Sequence, residues 1–552
     1  PRSTSQTSPR AGLLIISLCI CFSRLTKKSE LEHSESVNVE AMSDTITIAG
    51  IEIPKADWEA TPASVQAVVM VLSERLSHLE EQLKQTSRNS SRPPSSDRLR
   101  QSQPKSEEST SNQGGESRGS KGKQGRRGHR KPGNGFGFYP VEDAQRHHHS
   151  PETCGHCGEA LSGVDEHPHR HQVVEVPPLR LQVEEHQLHQ LTCECCGQTT
   201  RGQLPPDVPT TGYGDRLVSL VGLLSSGEYR QSHSMVQSLL SVLFGLELSR
   251  SGIYRLRTQV SEAVSAPVDA AHDYVQSQAS VHSDETGFPQ RNRDGANPQG
   301  RKGWLWVLCA PWVSIFRVSL NRSQQAAKDL IGQGFTGIVH SDRYGAYNWL
   351  PVHQRQVCWA HLKRDFTQIA ERSGVSHAIG TALLARQRRL FRWWHRVRDG
   401  TMSREQFVEA VAHLRAGFKA ELESACALPI EANEKTPLAK TVRTLREILK
   451  VEEALWTFVE TPGLEPTHNT AERALRSAVI WRRTTQGSQS QAGSEFVGRM
   501  LTVTTSLKAQ GRNAWDYLSE ALRAHRLGLP APSLLPLPEP QVLPTPLALP
   551  QA

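Results

Sequence analysis

The sequence of 552 residues predicts an α/β protein with its core in the second half of the chain. Three observations lead to this prediction. From residue 279 onward, strand-like apolar stretches alternate with helical patterns. Two Cys-x-x-Cys pairs, at 154–157 and 193–196, precede that core. A heptad pattern of apolar residues begins near Val65, which adds an N-terminal coiled coil.

Composition and charge limit the class of protein. Hydrophobic residues make up 37% of the chain and charged residues 22%, and no apolar run reaches the ~18 residues of a membrane span. The net charge of +8 is compatible with a polyanionic partner without requiring one. Five of the ten cysteines crowd into one short region, which favours metal ligation in a reducing cytosol over disulfides. We therefore expect a cytoplasmic protein without a membrane partner.

Residues 1–41 are set apart from the functional prediction. The first methionine is Met42, and an apolar run at 11–22 follows Arg2 and Arg10 and resembles the core of a signal peptide. We expect this segment to be upstream sequence translated because of a mis-assigned start.

The next segment, 58–86, has apolar residues in alternating steps of four and three, which is typical of a coiled coil. A single amphipathic helix packed on its own domain is the alternative. The seam consists of Val65, Val69, Leu72, Leu76, Leu79 and Leu83.

Residues 87–150 are polar and rich in Ser, Gly and Pro, so they cannot bury enough apolar surface to fold. We predict a disordered linker. A run of basic residues without an intervening acidic residue suits contacts with nucleic-acid phosphates, although a solvated linker has the same composition. The run is Arg118, Lys121, Lys123, Arg126, Arg127, Arg130 and Lys131.

The two Cys-x-x-Cys pairs predict a zinc-binding domain at 151–203. Cys154, Cys157, Cys193 and Cys196 would supply four thiolates to a structural Zn²⁺ ion. Alternating stretches around 172–176 and 179–191 predict a hairpin between the pairs. Their separation exceeds usual zinc-ribbon spacing. Cys195 is a spare, and a set of nearby histidines are either alternative ligands or a solvated face: His156, His167, His169 and His171.

Residues 213–268 have helical periodicity. The pattern predicts a helix, a turn at Gly245, and a second helix that begins at Ser249 or Ser251. This is helix-turn-helix spacing, which can place the second helix in a major groove, but helical hairpins with a glycine turn are common. At the other end, residues 527–552 are Pro-rich and predicted to be disordered.

The predicted core, 275–520, begins with the order strand, strand, strand, helix, strand. The spans are 279–283, 303–310, 312–320, 323–331 and 337–341. Asp284 follows the first strand and Asp342 follows the fourth. This order describes a ribonuclease-H-like core, in which these two strands lie side by side and their carboxylates converge. Adjacent carboxylates repel unless a cation such as Mg²⁺ lies between them.

A third carboxylate is expected from a later helix. Glu472 lies in the first turn of a helix that Asn469 or Thr470 would cap, with Ala474, Leu475 and Val479 packed inward. Arg473 and Arg476 are placed to contact phosphates or to balance the acidic residues. Spacing alone also fits a solvated glutamate.

Several unusual motifs follow one another along the chain in the order found in one known family of proteins. From Val65 to about Leu518 the chain resembles transposases of the insertion-sequence-66 family, which are DDE enzymes. One departure is His468, where Asn or another polar residue is expected. The motifs are NSSRPPSSD, the Cys-x-x-Cys pairs, HSDETGF, GWLWV, SDRYGAY, CWAHLKRDF (358–366) and NTAERALR (469–476).

The resemblance implies a function and its parts. Asp284, Asp342 and Glu472 would be the catalytic residues and would bind Mg²⁺ or Mn²⁺, with a helical insertion at about 367–460 before the glutamate. The cysteine pairs and the helical region would bind DNA ends. The enzyme would cut at terminal inverted repeats and transfer the 3′-hydroxyl to target DNA, as a nucleoid-associated oligomer, with accessory proteins of the same element as possible partners. The alternatives are a nuclease without strand transfer and a non-catalytic DNA-binding protein.

Some residues keep two interpretations. Glu285 neighbours Asp284, but successive strand residues point to opposite faces, so we favour Asp284 as the ligand. Cys358 and His361 lie one helical turn apart and fit a metal site, a DNA contact or a helix packed on the core through Trp359 and Leu362. Two further pairs are either DNA contacts or ordinary structural residues: Lys363 with Arg364, and Trp393 with Trp394.

Overall fold

The computed structural model describes residues 45–48, 51–84 and 145–536, which fall into two units, 1–85 and 86–552. Segment 1–41, most of the predicted linker and the tail beyond 536 lie outside the described residues. The basic run that we predict to contact phosphates lies outside them as well: Arg118, Lys121, Lys123, Arg126, Arg127, Arg130 and Lys131.

The first unit contains a short hairpin and a long helix. Its elements are β1 (Thr45–Ile48), β2 (Ile51–Pro54), α1 (Lys55–Glu59) and α2 (Ala63–Lys84). The helix predicted from the heptads is therefore present. Val65, Leu72 and Leu76 of its seam are about half exposed, which leaves both interpretations of the seam open. Pairing with a second helix remains a prediction.

The cysteine-rich region departs from the prediction. The strands are β3 (Gln190–Thr192) and β4 (Thr199–Arg201), and they pair across the second cysteine pair. The predicted hairpin between the two pairs is wrong, because 172–189 contains no strand and its side chains are almost all exposed. Sequence alternation gives a stable strand only when one face is buried against a partner.

The helical region agrees with the prediction. It contains α3 (Asp215–Leu224), α4 (His233–Phe244), α5 (Arg250–Ala263) and α6 (Ser265–Gln276). Gly245 ends α4 with a left-handed φ of 63°, a conformation that favours glycine. Ser249 caps α5 by accepting a hydrogen bond from the backbone N–H of Gly252.

The core sheet follows. Its elements are β5 (Ser280–Gly287), β6 (Trp304–Cys309), β7 (Ser314–Ser319), α7 (Gln324–Ile331), β8 (Ile338–Ser341) and β9 (Arg355–Val357). The strand order is β7-β6-β5-β8-β9, so β5 lies beside β8 as predicted, and the two strands are parallel. The first strand, however, continues through Gly287 instead of ending at Ser283, so Asp284 lies within it.

Helix hydroxyls cover the edge of this sheet at β7. Thr502 and Ser506 accept hydrogen bonds from the backbone N–H groups of Phe316 and Ser314, each at 3.0 Å. These bonds satisfy donors that an edge strand would otherwise leave unpaired. The two residues belong to α14 (Gln491–Ala509), which follows α13 (Asn469–Thr485) and precedes α15 (Ala514–Leu527).

The predicted helical insertion forms its own hydrophobic core. This core is separate from the core around the sheet. Trp394 is buried there against Phe407 and Phe458. The helices are α8 (Trp359–Ala370), α9 (Val375–Arg398), α10 (Arg404–Cys426), α11 (Pro437–Leu449) and α12 (Thr457–Glu460).

The C-terminal residues also differ from the prediction. Residues 529–536, assigned to the disordered tail, pack back on the core. Leu534 is 1% exposed, and the hydroxyl of Tyr517 donates to the carbonyl of Pro532 at 2.9 Å. Burial of the apolar side chain of Leu534 stabilises this segment on the core despite its Pro-rich composition. No helix in the described part of the chain is long and apolar enough to cross a membrane.

Candidate active site

Asp284 lies within β5, and Asp342 directly follows the neighbouring strand β8. His282 on β5 pairs with His340 on β8, and their rings stack with centroids 4.2 Å apart. Asp284 and Asp342 each come two residues later along parallel chains. Because side chains of a strand alternate, Asp284 leaves β5 on the face of His282. The carboxylate of Asp342 also accepts the backbone N–H of Tyr344 at 2.8 Å.

Glu285 points to the opposite face of β5, as its neighbouring position predicts. Its carboxylate accepts hydrogen bonds from the Tyr347 hydroxyl at 2.7 Å and from Nε of Arg322 at 2.8 Å. Burial raises the pKa of Glu285 to about 7, and the charges of Asp342 and Asp284 add to this effect. Glu285 is therefore a buried, fully bonded carboxyl.

His468 contacts Asp284 on the face of the stacked histidines. Its side chain is completely buried, and its Nε2 lies 3.7 Å from Oδ2 of Asp284. Burial alone would raise the pKa of Asp284, but His468 and the charge of His361 lower it below its ordinary value. In return, Cys358 and Asp284 raise the pKa of His468 well above its ordinary value against the effect of burial. The aspartate stays ionised here.

Glu472 lies beside His361 and Arg364, on the first turn of α13. Its Oε1 is 3.8 Å from Nδ1 of His361 and 3.6 Å from Nη2 of Arg364. The ring of His361 stacks on the ring of His468, with centroids 5.0 Å apart. Asp284 and Glu472 are thus joined through two stacked imidazoles, although they are far apart in the sequence.

The start of α13 differs from the prediction. His468 is the residue before its first turn and makes no capping hydrogen bond through its side chain, so neither Asn469 nor Thr470 caps the helix. The apolar face that packs inward contains Ala471, Leu475, Ala478 and Trp481, while Ala474 and Val479 are only partly buried. Backbone contacts with the preceding loop fix this start, since the N–H of Trp359 donates to the carbonyl of Pro466 at 3.0 Å.

Cys358, His361 and His468 form one group. A ligand atom of each lies within 4.8 Å of the others, and this is the group of metal-binding side chains found in the described part of the chain. Burial alone would raise the pKa of the Cys358 thiol, but His468 and His361 lower it to about 5. Packing on the core, the other interpretation of CWAHLKRDF, is also present, because Trp359 and Leu362 are buried.

Basic side chains adjoin the acidic group. Arg473 and Arg476 are exposed on α13, and Lys363 is exposed on α8. Arg364 contacts Glu472 and so balances it rather than facing only solvent. Trp394 is buried and does not offer a stacking face, whereas Trp393 is half-buried.

The two cysteine pairs adopt the same turn. In each, the glycine N–H after the pair donates to the carbonyl of the first cysteine, Cys154 or Cys193, at 2.9 Å. Backbone N–H groups of the turn lower the pKa of both thiols. Among the described residues, no three of Cys154, Cys157, Cys193 and Cys196 have sulfur atoms all within 4.8 Å of one another.

Comparison with known proteins decides the family. Residues 229–496 match the model of the Transposase IS66 family, a span that contains all three predicted acidic residues. The chain is a member of the IS66 transposase family. The resemblance seen in the motifs is thereby confirmed. The IS66 match also contains Cys358, His361 and His468, and it begins after the cysteine pairs.

Other matches are less informative about activity. Residues 39–132 match a family of unknown function, DUF6444. Three uncharacterised proteins of Sinorhizobium fredii (strain NBRC 101917 / NGR234) are similar to this IS66 transposase. Protein y4qI is 25% identical over 52% of this chain, y4hP is 25% identical over 67%, and y4jD is 22% identical over 50%. The aligned parts span 55%, 70% and 56% of those relatives, so in two of them little more than half.

Sequence reasoning missed some members of the site. His468 was noted only as a departure from a motif, and Tyr347 and Arg322 were not singled out. Burial at a helix start and contacts between distant segments have no local sequence pattern. The residues CWAHLKRDF did give a signal, since Cys and His three apart share one helix face.

Proposed function

We propose that this IS66 transposase cuts the ends of its element and joins them to target DNA, with Asp284, Asp342 and Glu472 as catalytic residues. The single observation that carries the proposal is the contact of Asp284 and Glu472 with the stacked rings of His468 and His361. Asp342 supports it by its position directly after the adjacent parallel strand β8.

The donor set fits magnesium. Carboxylate oxygens are the protein ligands that Mg²⁺ prefers, and the ionised state of Asp284 is the state that binds a cation. Asp284, Asp342 and Glu472 would hold the ions. When bound, two such ions activate an attacking oxygen and stabilise a leaving oxygen in an in-line phosphoryl transfer.

The chain's own residues would hold and orient the DNA. Arg473 and Arg476 lie exposed on the helix that carries Glu472, where guanidinium groups bind phosphate oxygens in pairs. In the cut, a P–O bond to water forms and the P–O3′ bond breaks, which frees a 3′-hydroxyl. In the transfer, that 3′-oxygen bonds to a target phosphorus and the target's own 3′-oxygen leaves.

Other parts of the chain would bind DNA without catalysing the reaction. The exposed face of α5 presents Arg250, Tyr254 and Arg255 after a helix-turn-helix turn. The cysteine pairs and the basic run of the linker are further DNA contacts in this proposal, with Zn²⁺ at the cysteines. The exposed seam of α2 would pair two chains, since two ends must be held together.

A strand-transfer assay with labelled element ends tests the proposal. We expect Mg²⁺-dependent cutting followed by a joined product, and the loss of both with Asp342→Asn. Asp329→Asn, an exposed aspartate on α7, is the matched control and should keep both. Cutting without joining would instead indicate a nuclease, and DNA binding without cutting would indicate a non-catalytic protein.

A further inference from the structure

The group of Cys358, His361 and His468 has the geometry of a metal site distinct from the carboxylates. Cys358 precedes α8, His361 lies in its first turn, and His468 precedes α13. Two helix starts therefore deliver one sulfur and two imidazoles to a region less than 5 Å across. Cys358 and His468 are completely buried, and the side chain of His361 is 15% exposed.

Three of the four ring nitrogens of His361 and His468 lack hydrogen-bond partners among the described residues, and the fourth, Nε2 of His361, accepts from Nη1 of Arg364 at 3.0 Å. Within the described part of the chain, neither nitrogen of His468 makes a hydrogen bond, and Nδ1 of His361 makes none. The 3.7 Å between His468 and Asp284 is too long for one. A buried polar atom without a partner costs about 1–3 kcal/mol, and a missing ion is one of the explanations for such an atom. Because unpaired nitrogens of both rings lie beside a thiol, one shared ligand would satisfy a nitrogen of each ring.

The ligand chemistry selects the metal. One thiolate and two imidazoles suit Zn²⁺, which takes sulfur and nitrogen ligands in a tetrahedron. Mg²⁺ prefers oxygen and is a poor match. From this geometry we infer that Cys358, His361 and His468 bind one Zn²⁺ ion. Asp284 lies beside His468, where a carboxylate commonly supports a zinc-bound imidazole.

Such an ion would position the proposed catalytic residues. The backbone N–H of Cys358 donates to the carbonyl of Ser341 at 2.9 Å, and Asp342 is the next residue. Glu472 lies one helical turn after His468. A zinc ion between Cys358 and His468 would therefore fix Glu472 relative to Asp342. The zinc site itself does not depend on the proposed transposition activity.

Zinc content of the purified full chain tests this inference. We expect Cys358→Ala and His468→Ala each to contain one zinc per chain less than the parent, measured by mass spectrometry of the metal after dialysis. Cys309→Ala is the matched control, because Cys309 is equally buried and lies outside the group. The control should keep the parent content, including any zinc at the cysteine pairs.

Cobalt gives a second measurement. Co²⁺ added to the metal-free chain should produce a sulfur-to-cobalt absorption band, and part of it should be absent from Cys358→Ala but present in Cys309→Ala. If Cys358→Ala does not fold, His361→Gln changes a partly exposed ligand and should lose the same equivalent of zinc. Equal zinc content in the parent and a folded Cys358 or His361 variant would overturn the inference and indicate a metal-free pair of thiolate and imidazolium.

Discussion

Nε2 of His468 lies 3.7 Å from Oδ2 of Asp284. The whole helical insertion lies between these two residues in the sequence. The contact places the start of α13 against the strand that carries Asp284. Since Glu472 follows in the first turn of that helix, the position of His468 determines how Glu472 approaches the two aspartates. The predictions below follow from this arrangement.

Asp284 and Glu285 should differ in their effect on cleavage. Asp284→Asn should reduce cleavage to the level of a reaction without protein, because it removes a proposed cation ligand. Glu285→Gln should keep measurable cleavage, because the amide oxygen still accepts from Tyr347, while stability falls by about 1–3 kcal/mol through the lost bonds to Arg322. Parallel cleavage and unfolding measurements check this. The reverse order of activities would place the ligand on the other face.

His468→Gln should weaken cleavage by about 10–100-fold, the usual effect of removing a group that supports a metal ligand. It should also raise the Mg²⁺ concentration needed for half-maximal rate, an effect that a purely structural defect does not produce. His272→Gln is the control, because His272 is a half-buried histidine of α6 whose ring contacts the carbonyl of Leu330 on α7, outside the site. An unchanged Mg²⁺ requirement in His468→Gln would contradict the positioning role.

Alanine substitutions of Trp394 and Trp393 should show whether these side chains pack in the core or contact DNA. Trp394→Ala should destabilise the insertion by about 3–5 kcal/mol, because the ring fills a core against Phe407 and Phe458. Trp393→Ala, at the half-buried neighbour, should cost less. Denaturant unfolding followed by fluorescence measures both. A Trp394→Ala protein of normal stability with weakened binding to unpaired DNA would support base stacking instead.

Stability should depend on pH through His233. Burial, with the charges of Arg257 and Arg250, lowers the pKa of His233 to about 4 from an ordinary value of 6.5. Between these values the unfolded chain binds a proton that the folded chain does not, so folding stability decreases as pH falls from about 6.5 toward 4. His233→Gln removes this effect. The melting temperature of the parent should therefore drop more than that of His233→Gln between pH 7 and pH 5, and parallel pH profiles would contradict the assignment.

The sequence predicted those parts of the structure that depend on local patterns. The order of the strands, the cap at Ser249 and the turn at Gly245 follow from residues that lie next to one another in the chain. The parallel pairing of β5 with β8 follows from that order and from the handedness of the crossover. These features place Asp284 on β5 and Asp342 directly after the neighbouring strand β8.

The remaining features depend on contacts between distant segments. His468 is buried only when α8 and the loop before α13 are in contact. Leu534 is buried only when α14 and α15 are folded. The alternating residues of 172–189 lacked a partner strand, which no local pattern reveals. Strand alternation separates Glu285 from Asp284, but the partners of Glu285, Tyr347 and Arg322, belong to other elements and have no local signal.

The most direct test of the account is Mg²⁺-dependent cleavage of element ends by Glu472→Gln, compared with Glu409→Gln, an exposed glutamate on α10. The account predicts that Glu472→Gln binds the ends but does not cut them, while Glu409→Gln cuts at the parent rate. Cleavage by Glu472→Gln at the parent rate would contradict the proposed grouping of Asp284, Asp342 and Glu472.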